Sequence, residues 1–155
     1  MSGWTFAEFW ERAADQLPDA PFAVQGDRVV SWGDADRRAD GLAATLLDAG
    51  AQRQDKVAQY LYNCPEYLES QFACFKASLV PVNTNYRYTA DELVYLWDNA
   101  DAVAVVFHGA FSSLGSRMDQ LHRVAHRFQV IFDQPAKLLV VIDDQQSRFA
   151  IRCHC

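Results

Sequence analysis

The sequence predicts an α/β fold with a mostly parallel sheet, helices on both faces of the sheet and a β-hairpin near the N-terminus. Two observations support this prediction. Segments with apolar residues at helical spacing alternate along the 155-residue chain with short apolar runs, among them KVAQYLYN, LVPV and DAVAVVF. Continuous apolar runs are typical of parallel strands buried on both faces, and the intervening helices supply the crossover connections between such strands.

A first helix is predicted for residues 6–17. Thr5 and Glu8 have the spacing of a capping box, in which the hydroxyl and the carboxylate each accept a hydrogen bond from a backbone N–H. Pro18 follows the last apolar residue of the segment and ends the helix. The start of this helix is therefore expected to be set by the capping box, and its end by the proline.

A hairpin and a second helix are expected next. FAVQGDRVVSW holds two β-type runs around Gly26 and Asp27, which predicts a hairpin with its turn at that pair. Apolar residues then recur at helical spacing, which predicts a helix over residues 34–49. Gly50 can adopt the left-handed conformation past the end of this helix.

The strand KVAQYLYN precedes a third predicted helix. Asn63 supplies a capping acceptor, Pro65 an early proline and Glu66 a first-turn carboxylate for this helix. Cys64 and Cys74 fall within it and are interpreted as small hydrophobic side chains. One face is predicted to be buried on the basis of its helical spacing: Leu68, Phe72, Phe75 and Leu79.

The pattern of strand and helix continues to the end of the chain. LVPV is a predicted buried strand, Thr89 and Glu92 form a second capping box, and DAVAVVF is a further buried strand. The buried stripe of the helix between these strands is predicted to be Leu93, Leu96, Trp97 and Ala100. Beyond residue 108 the apolar spacing predicts one more helix and then two strands, QVIF and KLLVVID.

Composition and charge exclude several classes of protein. The net charge is −6, which disfavours a nucleic-acid or anionic-membrane partner. Glu8 and Glu11 interrupt the apolar N-terminal segment, and no run reaches the roughly 18 apolar residues of a membrane span. The sequence therefore predicts no signal peptide, no membrane span and a cytoplasmic location.

Catalytic motifs are absent from the sequence. It contains no G-x-x-x-x-G-K-[ST], no G-x-G-x-x-G and no G-x-S-x-G, and its seven glycines are isolated. His122 and His126 lie one helical turn apart, but Arg123 stands where a zinc-protease helix carries its glutamate. Other candidates are interpreted as capping, turn or tail residues: Ser112, Ser113 and Ser116; Asp143 and Asp144; Cys153, His154 and Cys155. We predict no catalytic residue and no metal site.

The loop after LVPV is the remaining candidate site. It consists of Asn83, Thr84, Asn85, Tyr86 and Arg87. A polar and aromatic loop at the carboxyl end of a buried strand can form one wall of a binding crevice. Asn and Thr are also turn-forming residues that satisfy their own backbone, so a purely structural turn is the alternative.

Around this loop the sequence resembles a known family. NCPEYLESQFACFKASLVPVNTNYRYTADELVYLWDNADAVAVVF is similar to the N-terminal region of AMP-forming acyl-CoA synthetases, the fatty-acid–CoA ligases, particularly the actinobacterial long-chain or sterol-side-chain type. The resemblance covers about residues 4–111. Ser78 departs from it, because the family usually has glycine there; a left-handed helix end is mildly strained with serine. The matching positions are Asn63, Glu66, Ala73, Lys76, Ala77, Pro81, Asn83, Arg87, Glu92 and Leu93.

The resemblance implies a partial Rossmann-like N-terminal subdomain of an adenylate-forming enzyme. Family members use ATP, Mg and CoA to convert a fatty acid or related carboxylic acid into an acyl-adenylate and then an acyl-CoA. Their phosphate loop, their metal-binding glutamate motif and their catalytic lysine do not occur in these 155 residues. We therefore expect a truncated ligase whose isolated chain holds none of these cofactors and lacks catalysis.

Two alternatives remain open at this point. The chain could be a stand-alone acyl- or nucleotide-binding module, or a protein-interaction module that self-associates through uncovered apolar surface. The predicted organisation is a synthetase-like region over residues 1–111, a weaker continuation over residues 112–144 and a divergent tail over residues 145–155. The tail, QQSRFAIRCHC, has no counterpart in the family pattern, as expected after a reading-frame change or a premature stop.

Overall fold

The structure is a computed structural model that describes residues 4–108 and the backbone of two strands at residues 138–143 and 148–152. Two compact units are distinguished: unit 1 comprises Met1–Gln54 and Asn63–Pro81, and unit 2 comprises Asp55–Tyr62 and Val82–Cys155. The helices are α1 (Phe6–Gln16), α2 (Trp32–Asp48), α3 (Pro65–Lys76) and α4 (Ala90–Asn99). The strands are β1 (Pro21–Gln25), β2 (Arg28–Ser31), β3 (Lys56–Tyr60), β4 (Val80–Asn83), β5 (Ala102–His108), β6 (Leu138–Asp143) and β7 (Arg148–Arg152).

The capping box predicted at the start of α1 is confirmed. The backbone N–H of Glu8 donates to Oγ1 of Thr5 at 3.2 Å, and the backbone N–H of Thr5 donates to Oε2 of Glu8 at 2.8 Å. The helix ends at Gln16, one residue before the predicted end. The local side-chain pattern was sufficient to predict the start of α1, because both partners of the cap lie within one helical turn.

The hairpin and the second helix are also confirmed. β1 and β2 pair antiparallel, with Gln25 opposite Arg28 across the predicted turn, and Gly26 has a φ of +58°. α2 begins at Trp32, two residues before the predicted start, because the hydroxyl of Ser31 accepts the backbone N–H of Asp34 and caps the helix. Past its end, Gly50 adopts the expected left-handed conformation, with a φ of +97°.

An aromatic cluster joins the helices and the hairpin of unit 1. Trp10 of α1 lies at its middle, and the indole makes edge-on contacts with four rings drawn from β1, α2 and α3. Edge-to-face pairs of this kind contribute beyond the area they bury. The distances from the Trp10 ring centroid are 5.6 Å to Phe22, 6.3 Å to Trp32, 5.3 Å to Phe72 and 5.8 Å to Phe75.

The start of α3 differs from the prediction. The N-cap residue is Cys64 and not Asn63, and no side chain caps the helix. Pro65 occupies the first helical position, as predicted, and its ring sets the backbone angle from which the helix begins. The asparagine prediction was wrong because the proline, rather than a capping oxygen, determines the first residue of this helix.

The buried face of α3 is partly apolar and partly charged. Phe72 is buried as predicted, whereas Leu68 and Phe75 are only half-buried. Leu79 is buried too, but it lies beyond the end of α3 and not on its face as predicted. The rest of that face consists largely of residues that the apolar periodicity did not indicate: Glu66, Glu69, Ser70, Ala73 and Cys74.

Two arginines contact the buried glutamates of unit 1. Arg28 of β2 donates from Nη2 to Oε1 of Glu66 at 2.5 Å. Arg38 of α2 lies with Nη2 at 3.6 Å from the same oxygen and with Nε at 2.9 Å from Oε2 of Glu69. We call these four residues the buried acid cluster. Its contacts join the hairpin, α2 and α3 within unit 1.

Lys76 connects the three helices of unit 1. Its Nζ lies 3.5 Å from Oε1 of Glu11 in α1, and 2.7 Å and 2.5 Å from Oδ1 of Asp36 and of Asp40 in α2. Burial lowers the pKa of Lys76, but Asp36 and Asp40 outweigh it and raise the pKa above its usual value. The ammonium therefore stays charged and binds α1 and α2 to the end of α3.

Unit 2 contains the parallel strands of the predicted sheet. The sheet has the strand order β4-β3-β5-β6-β7, in which β3 and β5 pair parallel and β5 and β6 pair parallel. β6 corresponds to the predicted strand KLLVVID, whereas QVIF lies outside the described residues. β7, in the tail for which no strand was predicted, pairs antiparallel with β6. The α/β fold class is confirmed.

Helix α4 packs its apolar face against β3 and β5. Thr89 and Glu92 form the predicted capping box, with the backbone N–H of Thr89 donating to Oε2 of Glu92 at 2.8 Å. This hydrogen bond lowers the pKa of Glu92. In the described part of the chain, no helix has the length and apolarity needed to cross a membrane. The core of α4 and its strands consists of Ala58, Tyr60, Leu93, Val94, Trp97, Ala102 and Phe107.

Ser78 has the left-handed conformation predicted for it, with a φ of +58°. We expect Ser78→Gly to raise the free energy of unfolding by about 0.5–1 kcal/mol, because glycine has no Cβ to strain there, although it adds entropy to the unfolded chain. Urea denaturation of the two proteins measures the difference.

The matched control is Ala49→Gly. Ala49 is the exposed C-cap of α2 and has a φ of −77°, so glycine relieves no strain there and should lower stability by about 0.5–1 kcal/mol. Equal effects of the two substitutions, in either direction, would contradict the strain at Ser78.

Candidate functional site

The candidate loop lies at the carboxyl end of β3. The backbone N–H of Thr84 donates to the carbonyl of Gln59 at 3.1 Å, and the hydroxyl of Tyr60 donates to the carbonyl of Tyr86 at 3.3 Å. β5 runs parallel to β3 and ends at His108, so its carboxyl end faces the same edge of the sheet. Loops at this edge of an open parallel sheet form the binding crevices of α/β proteins.

Thr84 is an anchor and not a ligand-facing side chain. It is 1% exposed, and its Oγ1 accepts a hydrogen bond from Nε1 of Trp97 at 3.0 Å. The same hydroxyl donates to the carbonyl of Val82 at 3.4 Å. Both partners lie within unit 2, so Thr84 attaches the loop to α4 and leaves no polar group for a bound molecule.

Asn85 forms the turn that the sequence offered as the alternative. Its Oδ1 accepts the backbone N–H of Arg87 at 3.0 Å, and its carbonyl accepts the backbone N–H of Tyr88 at 3.1 Å. An asparagine side chain that bonds the backbone two residues on is an Asx turn. Asn83 and Asn85 are both exposed.

An aromatic surface borders the loop at the end of the strands. The rings of Tyr62 and Tyr86 lie 4.9 Å apart, and the Tyr62 ring meets His108 edge-on at 5.3 Å. We call Tyr62, Tyr86 and His108 the edge cluster. The exposed guanidinium of Arg87 lies over Tyr86, with Cζ 5.4 Å from the ring centroid. Among the described residues Arg87 has no ion-pair partner, so its charge faces solvent and can attract an anion.

The hydrogen bonds of Thr84 and Asn85 fix the backbone of the candidate loop. Asn83 is the last residue of β4, and Thr84, Asn85, Tyr86 and Arg87 follow it beside the parallel strands. Their role as a crevice wall stays a prediction. Tyr62 and His108 were missed because their proximity depends on the parallel pairing of β3 with β5. Tyr62 lies near the end of one predicted strand, and His108 directly follows another.

The described residues offer neither a metal centre nor a reactive thiol. They hold no group of three or more histidine, cysteine, aspartate or glutamate side chains placed to bind a metal. Cys74 is buried, and burial raises the pKa of Cys64 to about 12, so its thiol stays protonated. Several residues weighed from the sequence lie outside the described residues: Ser112, Ser113, Ser116, His122, His126, Asp144, Cys153, His154 and Cys155.

The attachment of the loop to α4 predicts a clear effect of Thr84→Val. This substitution keeps the shape of the side chain but removes the hydroxyl that accepts the Trp97 hydrogen bond. We expect a loss of about 1–3 kcal/mol in the free energy of unfolding, the usual cost of breaking a buried hydrogen bond, measured by urea denaturation.

Thr84→Ser is the control for this prediction. It retains the hydroxyl and removes only a methyl group, so it should lose less stability than the valine variant. If the serine variant were the less stable of the two, packing of the methyl group and not the hydrogen bond would hold the loop.

Comparison with curated proteins identifies relatives along most of the chain. A medium/long-chain-fatty-acid–CoA/3-oxocholest-4-en-26-oate–CoA ligase of Mycobacterium tuberculosis is 33% identical over 139 residues, which cover 89% of this chain and 23% of that protein. A 3-oxocholest-4-en-26-oate–CoA ligase of Rhodococcus rhodochrous is 35% identical over 106 residues, which cover 68% of this chain and 19% of that protein. The chain thus spans about a quarter or less of the length of these relatives.

Solved structures share the fold. A long-chain-fatty-acid CoA ligase of Rhodopseudomonas palustris matches 96% of this chain and 35% of its own with a TM-score of 0.77 and 25% identity. A benzoate CoA ligase of Burkholderia xenovorans matches 92% of this chain and 26% of its own with a TM-score of 0.73 and 17% identity. At 17% identity, the likeness to the benzoate CoA ligase shows a shared fold and nothing more.

A family match covers most of the predicted region of resemblance and extends into β7. The profile of the AMP-binding enzymes matches residues 10–151, whereas the resemblance read from the sequence ended near residue 111. The match therefore also spans the weaker continuation that the sequence predicted over residues 112–144. On the strength of this match, the chain belongs to the family of AMP-binding enzymes.

Proposed function

We propose that the chain forms the N-terminal part of the catalytic domain of an ATP-dependent fatty-acid–CoA ligase. Such an enzyme converts a carboxylic acid into an acyl-adenylate and then transfers the acyl group to the thiol of CoA. The observation that carries the proposal is the family match over residues 10–151, together with curated relatives that are CoA ligases.

The proposed substrate is a medium- or long-chain fatty acid or the side-chain carboxylate of a sterol. Both classes occur in the names of the mycobacterial relatives, and the sterol-derived acid occurs in the name of the rhodococcal relative. ATP and CoA are the proposed co-substrates. The cytoplasmic location and self-association predicted from the sequence stay predictions.

We further propose that the 155-residue polypeptide by itself is a scaffold without catalysis. Activation of an acid by ATP needs a phosphate-binding loop and positive charge or a divalent metal at the reacting phosphate. The sequence has no such loop, and the described residues do not fit Mg²⁺ because no three ligating side chains converge among them. What this chain supplies is a parallel sheet edge with the loop anchored by Thr84 and the exposed cation of Arg87.

ATP–pyrophosphate exchange tests this proposal directly. With the purified chain, ATP, Mg²⁺ and a fatty acid or sterol-derived acid, we expect no exchange above the protein-free background. The reason is that the sequence holds no glycine-rich phosphate loop to bind the pyrophosphate that the reaction would have to return.

The positive control is a full-length mycobacterial relative assayed with the same acids. Exchange by the purified 155-residue chain that rises with its concentration would contradict the scaffold proposal. Absence of exchange by the control would show that the wrong acid had been chosen.

A second candidate function is a stand-alone anion-binding module, and the exposed Arg87 beside the edge cluster favours it. On this hypothesis ATP or a fatty acid produces a saturable change in tryptophan fluorescence, for which Trp97 is the reporter within unit 2. Arg87→Ala should abolish the change. The matched control is Arg12→Ala, which removes another exposed arginine that stacks on an aromatic ring, that of Trp4 in unit 1. This variant should retain the fluorescence change. No change with either ligand would count against this function.

A further inference from the structure

The buried acid cluster places two carboxyl groups of one helix out of contact with water. Glu66 and Glu69 are each 2% exposed and lie three residues apart on the buried face of α3. The charged groups that face them are Arg28 from β2 and Arg38 from α2. A buried carboxylate needs hydrogen bonds as well as an opposite charge to offset its lost hydration.

The two glutamates differ in how well their charge is satisfied. Glu66 accepts a hydrogen bond from Arg28 at 2.5 Å. Glu69 has Nε of Arg38 at 2.9 Å, but the geometry is not that of a hydrogen bond, and neither of its carboxyl oxygens has a hydrogen-bond partner among the described residues. The same holds for Oε2 of Glu66. The geometry therefore favours a negative charge on Glu66 and disfavours one on Glu69.

We propose that Glu69 takes up a proton when the chain folds whereas Glu66 stays ionised, so that the buried acid cluster makes stability fall as the pH rises toward and through neutrality. This proposal does not depend on the proposed function. The shifts in pKa agree with the geometry. Burial raises the pKa of Glu69 to about 7 against the opposing effect of Arg38, whereas for Glu66 burial is outweighed by Arg28, which holds its pKa below the usual value.

The direction of the pH effect follows from proton linkage. An unfolded glutamate has a pKa of about 4.3, so between that pH and neutrality the folded chain binds more protons at Glu69 than the unfolded chain does. The stabilisation is present in full at low pH and is lost as the pH rises through the folded pKa. A single linked proton raises the unfolding equilibrium constant by up to about tenfold per pH unit over this interval. Glu66 acts in the opposite sense, because its contribution is lost on acidification.

Urea denaturation of the full chain between pH 5 and pH 8 tests the proposal with two matched variants. Glu69→Gln mimics the protonated acid and should be more stable than the parent chain at pH 8, with a smaller dependence on pH from pH 5 to 7. Glu66→Gln, the same chemical change one helical turn away, should be less stable than the parent at pH 8. Subtracting the free energy of unfolding of the variant from that of the parent at each pH removes the contribution of the four histidines, which also titrate in this range.

A glutamine variant at position 69 that is less stable than the parent at pH 8 would overturn the proposal, because it would show an ionised Glu69 paired with Arg38. Carbon NMR of the glutamate carboxyl groups of the parent chain provides a second measurement that needs no variant to fold. We expect one carboxyl signal to titrate near pH 7. Titration of every glutamate signal below pH 5.5 would equally overturn the proposal.

Discussion

The parallel pairing of β3 with β5 is the constraint on which the rest of unit 2 depends. Parallel strands cannot be joined by a tight turn, so the chain must cross over between them. Helix α4 is part of this crossover, and its face that carries Trp97 packs against both strands. The indole of Trp97 then donates its hydrogen bond to Thr84 and holds the loop that follows β4. Because both strands end at one edge, the pairing also places His108 against Tyr62.

Unit 1 achieves its packing by a different combination of forces. An aromatic cluster around Trp10 supplies part of the apolar contacts, while ion pairs of the buried Glu69 and of Lys76 join the same helices. Burying an ion pair often brings little net stability, but removing one partner leaves an uncompensated charge.

The candidate site combines the two interpretations that the loop sequence allowed. Thr84 and Asn85 use their polar atoms to fix the backbone, and these hydrogen bonds leave Tyr86 and Arg87 at the edge of the sheet. A turn and the predicted crevice wall are thus compatible, since the residues that hold the backbone are not the ones exposed at the edge. This arrangement suits the scaffold role that we propose for a chain of the AMP-binding enzymes.

The sequence by itself determined the features whose interacting groups lie within a few residues of one another. Both capping boxes and the turn at Gly26 follow from such local interactions, whereas the left-handed conformation of Ser78 was expected from the resemblance to a family that usually has glycine there. Only the tertiary structure decided the burial of Glu66 and Glu69, because the arginine that bonds Glu66 lies 38 residues away along the chain. The edge cluster and the antiparallel strand β7 likewise depend on pairing between strands, which helical or strand periodicity within one segment does not specify.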